Sequence, residues 1–343
     1  MGIHGCDYDL DIRQGNRRIF GLPRQDIDLR LNANEDWVAG RTGNRPVLKW
    51  KNRCQREKIP PVPSIRSGCL NNNSLPSEML EHYRRSQESE RLLQGAGELE
   101  RVRTQDILKR FLPGPGSAIL DVGGAAGVHA LWLARKGYEV HLIDPLPHHV
   151  EEALKASKAQ PTHPIASCGV GDAREIPWPD QSVDAVLFLG PLYHLVDRSD
   201  RLKALREAHR VLRPGGKIFA ATISRFASLL DGLGRDLVAD PQFVNILKQD
   251  LRDGQHRNPT NIPGYFTTAF FHHPEDLKNE MAEAGFQLEK LVGIEGPAWF
   301  MGSFPVHWNN PEKRRLLLEL LRTIEEDPYI LGASAHPMGI ARK

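Results

Sequence analysis

The sequence predicts an α/β protein built on a doubly wound, mostly parallel sheet. Three observations predict it. From Ala118 onward, short apolar runs alternate with amphipathic stretches of helical length. The first turn between them is rich in glycine. An acidic residue falls at or just past the end of each of the first three runs, at Asp121, Asp144 and Asp172.

Each element follows from its residues. Met1 to about Leu75 shows no sustained periodicity. It holds the run Ile59-Pro60-Pro61-Val62-Pro63 and the turn-rich Asn71-Asn72-Asn73-Ser74, so residues 1–75 are expected to be a poorly ordered extension or a partner-binding arm. Residues 76–117 are expected to form N-terminal helices. Glu78 to Gln94 is polar and helix-prone, and Glu98 to Phe111 spaces Val102, Ile107, Leu108 and Phe111 almost helically, until Pro113-Gly114-Pro115-Gly116 stops the helix. Residues 118–224 form the core. Ala118–Val122, Tyr138–Ile143, Ile165–Val170, Ala185–Leu189 and Lys217–Ile223 read as strands. Val128–Lys136, Pro147–Lys158 and Arg201–Leu212 read as the helices between them, and Arg213-Pro214-Gly215-Gly216 as a turn. Right-handed crossovers put the loops after these strands on one edge, where ligands bind in such sheets. Further on, His273–Ala284 reads as a helix, and Phe286–Ile294 and His336–Ala341 as strands.

Composition narrows the function. The chain has 343 residues, 40% hydrophobic and 26% charged, as expected of a soluble enzyme of one enlarged domain. No apolar run approaches the roughly 20 residues that span a bilayer. A net charge of +2 argues against nucleic acid or an anionic membrane as partner. Cys6, Cys54, Cys69 and Cys168 are too scattered for a zinc site or a disulfide framework. The N-terminus lacks an apolar leader and carries Asp7, Asp9 and Asp11, so a cytoplasmic protein is expected.

The chemistry concentrates at the strand ends. In Asp121-Val122-Gly123-Gly124-Ala125-Ala126-Gly127 the small residues let the backbone turn sharply and approach a ligand. A tight strand–helix turn would use the same residues. Asp144 in Leu142-Ile143-Asp144-Pro145 has the place to accept two ribose hydroxyls, or to cap a helix. In Gly171-Asp172-Ala173 the acid is placed beside an adenine, or serves as a turn residue.

Together these pieces resemble the core of class I S-adenosylmethionine-dependent methyltransferases, especially the bacterial small-molecule type related to ubiquinone and menaquinone biosynthesis enzymes. Gly190-Pro191-Leu192-Tyr193-His194-Leu195 and Val211-Leu212-Arg213-Pro214-Gly215-Gly216 extend the match. The resemblance implies a Rossmann-like sheet of order 3-2-1-4-5-7-6 with an antiparallel last strand. It covers residues 98–343, with substrate-side insertions at 225–271 and 296–335. It implies S-adenosyl-L-methionine as cofactor, held by Asp121, Gly123, Gly124, Ala125 and Gly127 at the methionine end. Asp144 and Pro145 then lie at the ribose, and Asp172 and Ala173 at the adenine, with Leu189 completing the set. The family motif has glycine where this chain has Ala125, so the loop keeps its path unless that position needs positive φ.

The acceptor is less legible. Tyr265, Phe266, Phe270 and Phe271 in the first insertion, and Trp299, Phe300, Met301, Phe304 and Trp308 in the second, suit either an organic-molecule pocket or the core of added helices. His194 is the candidate general base, since an imidazole pKa of about 6.5 suits neutral pH, with Tyr193 beside it. The plainer reading is that both merely wall the donor pocket. His148-His149 and His272-His273 lack a ligand pattern, so no metal is expected. The expected activity is methyl transfer to O, N or C of a small organic molecule. The alternatives are a nucleic-acid methyltransferase, a non-catalytic donor-binding protein and, last, a nicotinamide dehydrogenase.

Overall fold

The structure, a computed structural model, describes residues 37–42, 45–50, 76–85 and 88–343. The chain divides into a unit of Met1–Lys58 and a unit of Ile59–Lys343. In the first, Trp37–Thr42 and Arg45–Trp50 pair as an antiparallel ribbon with Trp37 opposite Trp50. No periodicity in the sequence foreshadows this ribbon. The rest of the expected 1–75 extension lies outside the described residues.

The second unit starts with helices α1 (Ser77–Arg85) and α2 (Gly95–Phe111), separated by a short turn of helix at Glu88–Arg91. The sheet follows. Its strands are β1 (Ala118–Val122), β2 (Glu139–Asp144), β3 (Ser167–Val170), β4 (Val183–Phe188), β5 (Leu212–Ala221), β6 (Gln287–Gly293) and β7 (Pro337–Arg342). Read across the sheet, the order is β3-β2-β1-β4-β5-β7-β6. The first five are mutually parallel, and β7 runs antiparallel to both β5 and β6. This is the expected order and orientation.

Helices cover both faces. With α2 they are α3 (Val128–Arg135), α4 (Pro147–Lys158), α5 (Arg198–Val211) and α8 (Pro274–Glu283), while α6 (Ala227–Gly234), α7 (Pro241–Asp253) and α9 (Pro311–Ile324) pack in separate clusters. Strand side chains alternate in direction, so β1 feeds two cores. Leu120 and Val122 pack with Phe188, Leu205, Ile218 and Met281 on one face. Ile119 packs with Leu108, Leu133, Leu142, Phe219 and Ile340 on the other. With both faces covered, the central strands are apolar throughout rather than alternating.

Several boundaries shift by one to three residues, and one differs in kind. Arg213-Pro214-Gly215-Gly216 does not precede β5 but lies inside it. Val183 pairs with Leu212 and Ala185 with Lys217, so the four residues bulge out between two registered pairs. The two insertions hold α6, α7 and α9, and a small sheet formed by Ile223–Ser224, Ala269–His272 and Gln255–His256.

Candidate functional site

The carboxyl ends of β1 to β4 open onto one cleft of about 1160 Å³. The glycine loop is pinned beneath it. The Gly123 and Gly124 N–H groups both donate to the Ile143 carbonyl, at 2.8 and 3.3 Å. A Cβ on Gly124 would stand 2.7 Å from Leu142 Cδ1 and 2.9 Å from the Asp121 carboxylate, so only glycine fits. Ala125 has φ of +45°, so the position does need positive φ and alanine is strained there. Gly127 does not line the cleft. It starts α3 at φ +81°, and a Cβ there would reach Ala153, Ile165 and Leu142 at 3.4–3.5 Å. Its left-handed φ, rather than a crowded Cβ, calls for glycine here, and unlike the other expected donor residues it stands outside the cleft lining.

The other residues expected at the cofactor (Asp121, Ala125, Asp144, Pro145, Asp172, Ala173 and Leu189 among them) all line the cleft. Asp144 is 4% exposed. Its Oδ2 accepts from the Ala125 N–H and its Oδ1 from the Leu146 N–H, both at 2.9 Å, and the His149 ring Nδ1 is 3.1 Å from Oδ1. Asp144 therefore ties the glycine loop to the start of α4 and also faces the cleft, so both sequence readings apply. Its Oδ2, with one donor, keeps a lone pair for a ligand hydroxyl. Asp121 is buried, and desolvation, then the neighbouring Asp144 charge, push its pKa up to about 7. A cation placed beside it would restore the carboxylate. Asp172 is already engaged by Arg174, at 2.6 Å from Nη2 and 2.8 Å from the backbone N–H, and Arg174 also holds Asp200 at 2.7 Å. Burial of Asp172 opposes ionisation, but these Arg174 contacts outweigh it and lower the pKa.

His194 departs from its expected poise. It ends a short helical turn, Pro191–His194, after β4, and its Nε2 lies 2.5 Å from the Tyr83 hydroxyl. Desolvation, then His82, push its pKa down to about 3 against a small opposing effect of the Thr268 backbone. An imidazole so weakly basic is far from the expected 6.5. The Tyr193 ring stands edge-on to it, with ring centroids 4.5 Å apart.

No pattern in the sequence marks the residues that roof the cleft. Met79 and Tyr83 on α1, with Arg91 and Leu92 after it, line its outer wall. So does His129, whose pKa burial lowers to about 4. Only a polar, helix-prone stretch marked this region, and nothing in its period pointed inward.

A second cavity of about 1070 Å³ adjoins the first, and Tyr83, Arg91, Glu100 and Tyr193 line both. Tyr265, Phe266 and Phe271 come to it from the first insertion and Trp299 from the second. The remaining aromatics take the other expected role. Phe304 and Trp308 pack with Leu99 and Leu321, partly buried Met301 joins them, and Phe270 lies under the Arg201 guanidinium at 3.8 Å. Phe300 stands edge-on to Trp299, with centroids 5.5 Å apart.

The paired histidines are mostly structural. The ring centroids of His148 and His149 lie 4.4 Å apart, and His149 backs Asp144. His272 packs against Glu280 at 3.4 Å, and His273 caps α8. A different group meets in the second cavity, where one atom each of Glu100, Glu295 and His336 fall within 4.8 Å of one another. Both Glu100 oxygens accept from Arg91, at 2.6 and 3.2 Å, and both Glu295 oxygens accept from His336 and Ser334. The cluster thus divides into two hydrogen-bonded groups, Glu100 with Arg91 and Glu295 with His336 and Ser334.

Known proteins share this core. A family model described as "Methyltransferase domain" matches residues 120–220. The chain is 32% identical to methyltransferase GfsG of Streptomyces halstedii over 121 residues, 35% of this chain and 42% of that protein. It is 37% identical to an uncharacterised methyltransferase of Mycobacterium tuberculosis over 166 residues, 48% of this chain and 60% of that one. Over 216 residues it is 30% identical to a ubiquinone/menaquinone biosynthesis C-methyltransferase from a Caulobacter species, 59% of this chain and 80% of that one. The chain thus spans about half the length of the first two relatives.

Proposed function

Because the chain belongs to the class I S-adenosylmethionine-dependent methyltransferases, we propose that it transfers the methyl group of that donor to O, N or C of a small organic molecule. The observation that carries this reading is the acid-lined cleft at the carboxyl edge of the sheet. A sulfonium donor brings positive charge and ribose hydroxyls, and the cleft offers Asp121 and Asp144. A dinucleotide would put its pyrophosphate against buried Asp121, which is unfavourable.

In this reading Asp144 accepts the ribose hydroxyls while its bonds to Ala125 and Leu146 fix its direction. Asp121 and the loop backbone hold the methionine end, and Asp172 and Ala173 flank the adenine. Pro145 and Leu189 complete the walls. The bound donor supplies an already activated methyl group, so the protein's work is alignment and exclusion of water. Tyr193, His194 and Tyr83 stand where the two cavities meet and shape the passage between them. With its pKa near 3, His194 serves as a wall and hydrogen-bond partner rather than as a proton acceptor. The aromatic second cavity and the net charge of +2 favour a small-molecule acceptor over nucleic acid. We read the compartment as cytoplasmic; among the described residues no helix is long and apolar enough to cross a membrane.

Calorimetry with S-adenosylhomocysteine tests the donor site. One equivalent should bind with micromolar affinity, and Asp144→Ala should abolish binding. A folded protein that binds none would end this reading.

A further inference from the structure

We propose that the second cavity binds a planar aromatic acceptor through a hydroxyl group, and that His336, held by Glu295, takes the proton of that hydroxyl as the methyl group is transferred. This rests on the donor-site reading above and deepens it.

The topology brings the pair to the right edge. Glu295 lies two residues past the end of β6, and His336 immediately precedes β7. Because β7 is antiparallel to β5, its start lies at the carboxyl end of β5, the edge onto which the donor cleft opens. The two residues flank the whole second insertion, yet Gly293 and Pro337 pair across the sheet and keep them adjacent.

The geometry is that of an oriented imidazole. The His336 Nδ1–H donates to Glu295 Oε1 at 2.6 Å, since a carboxylate only accepts. The Glu295 carboxylate is itself fixed, its Oε2 accepting from Ser334 Oγ at 2.8 Å and from the His336 N–H at 3.0 Å. That tautomer leaves the lone pair on Nε2, to which no hydrogen bond is present among the described residues. The His336 side chain is 18% exposed and lines the second cavity, while Glu295 is 2% exposed. A nucleophile, a base and a carboxylate that orients the base form a recurring arrangement, and here the cavity supplies the place of the nucleophile.

The surroundings match. The groups facing His336 are Glu295, Glu100 on α2, Arg91 and Tyr193. Burial opposes its protonation, but Glu295 and Glu100 overcome this and raise its pKa above the ordinary value. His194, by contrast, is pushed to about 3. The Tyr193 ring, which lines both cavities, is centred 6.5 Å from the His336 ring. Phe266, Trp299 and Phe271 line the cavity and offer a flat ring apolar contacts. In the step itself, the acceptor oxygen bonds to the methyl carbon and the carbon–sulfur bond breaks with its electron pair going to sulfur. The hydroxyl proton passes to His336 Nε2.

The test uses 4-nitrophenol, whose absorbance reports its ionisation, added to the full chain saturated with S-adenosylhomocysteine. The proposal expects the probe to bind and to carry about tenfold more phenolate than free probe at the same pH. In His336→Asn, which keeps an N–H for Glu295 but loses the lone pair, the probe should bind as the neutral phenol. In Glu295→Gln, NMR titration should show the His336 pKa falling and the bound probe losing its extra phenolate while S-adenosylhomocysteine still binds; a merely structural clamp would move the pKa and leave the probe's ionisation unchanged. Equal ionisation in wild type and His336→Asn would overturn the base assignment. A probe that fails to bind the donor-saturated protein would overturn the acceptor class and leave the donor-site reading standing. Loss of S-adenosylhomocysteine binding in wild type would instead strike that reading.

Discussion

Ala125 shows how one residue both reveals and hides the site. Its N–H must point at Asp144, and to do so the backbone turns to φ +45°. For an L-residue this region costs about 1–2 kcal/mol, while a glycine would restore about 0.4–1 kcal/mol of freedom to the unfolded chain. Ala125→Gly should therefore stabilise the protein by about 0.5–1 kcal/mol in urea denaturation, with the loop path unchanged. A loss of stability would mean that the alanine methyl makes contacts outweighing the strain. The motif spacing made the loop legible, but the sign of φ at this alanine was not, because small residues tolerate either path on paper. The same limit applied to Gly127, where the spacing matched a ligand loop but the residue starts α3 at φ +81° outside the cleft lining. The His194 pKa was equally out of reach, because it depends on burial by residues distant in sequence.

At the scale of elements, period and turn residues were sufficient for the central strands and for α3 to α5. Their apolar runs are short, bounded by glycine or proline, and buried on both faces. The fifth strand began five residues early because its turn residues bulge instead of ending it. What held α5 to α8 was not legible. Arg201, 2% exposed, forks onto Glu280 with contacts of 2.8 and 3.0 Å, and His272 adds a third partner at 3.4 Å. Burial pushes the Glu280 pKa up, but His272 and Arg201 overcome this and hold it at about 2. Glu280→Ala strands a buried guanidinium and should cost about 3–5 kcal/mol at pH 7. The depressed pKa places this stability above about pH 4.5, and protonating the wild type should remove it as the pH falls toward 2. Urea denaturation at pH 7 and pH 3 should show the gap between wild type and variant narrowing in acid. A constant gap would locate the cost in lost packing rather than charge.

At the scale of the whole chain, the cleft draws its walls from distant stretches. The strand-edge loops lie between Asp121 and Leu195, and the roof comes from Met79, Tyr83, Arg91 and Leu92. All of them belong to the unit that starts at Ile59. Deleting residues 1–58 should thus leave S-adenosylhomocysteine affinity within about twofold, a change of under roughly 0.5 kcal/mol. Deleting residues 1–94 removes the roof. Met79 is 2% and Leu92 8% exposed, and each such side chain contributes about 1.5–3 kcal/mol when buried. Part of that stabilises the fold, but the donor also loses one wall of its cleft, and Tyr83 no longer bonds His194. Affinity should fall by about tenfold or more, equivalent to about 1.4 kcal/mol. Calorimetry on the two truncations, with circular dichroism to verify folding, separates the contributions. If the first truncation weakens binding, the ribbon-bearing unit takes part in the donor site. If the second binds as tightly as the full chain, α1 covers the acceptor side alone, and donor binding depends only on the acids and the glycine loop at the sheet edge.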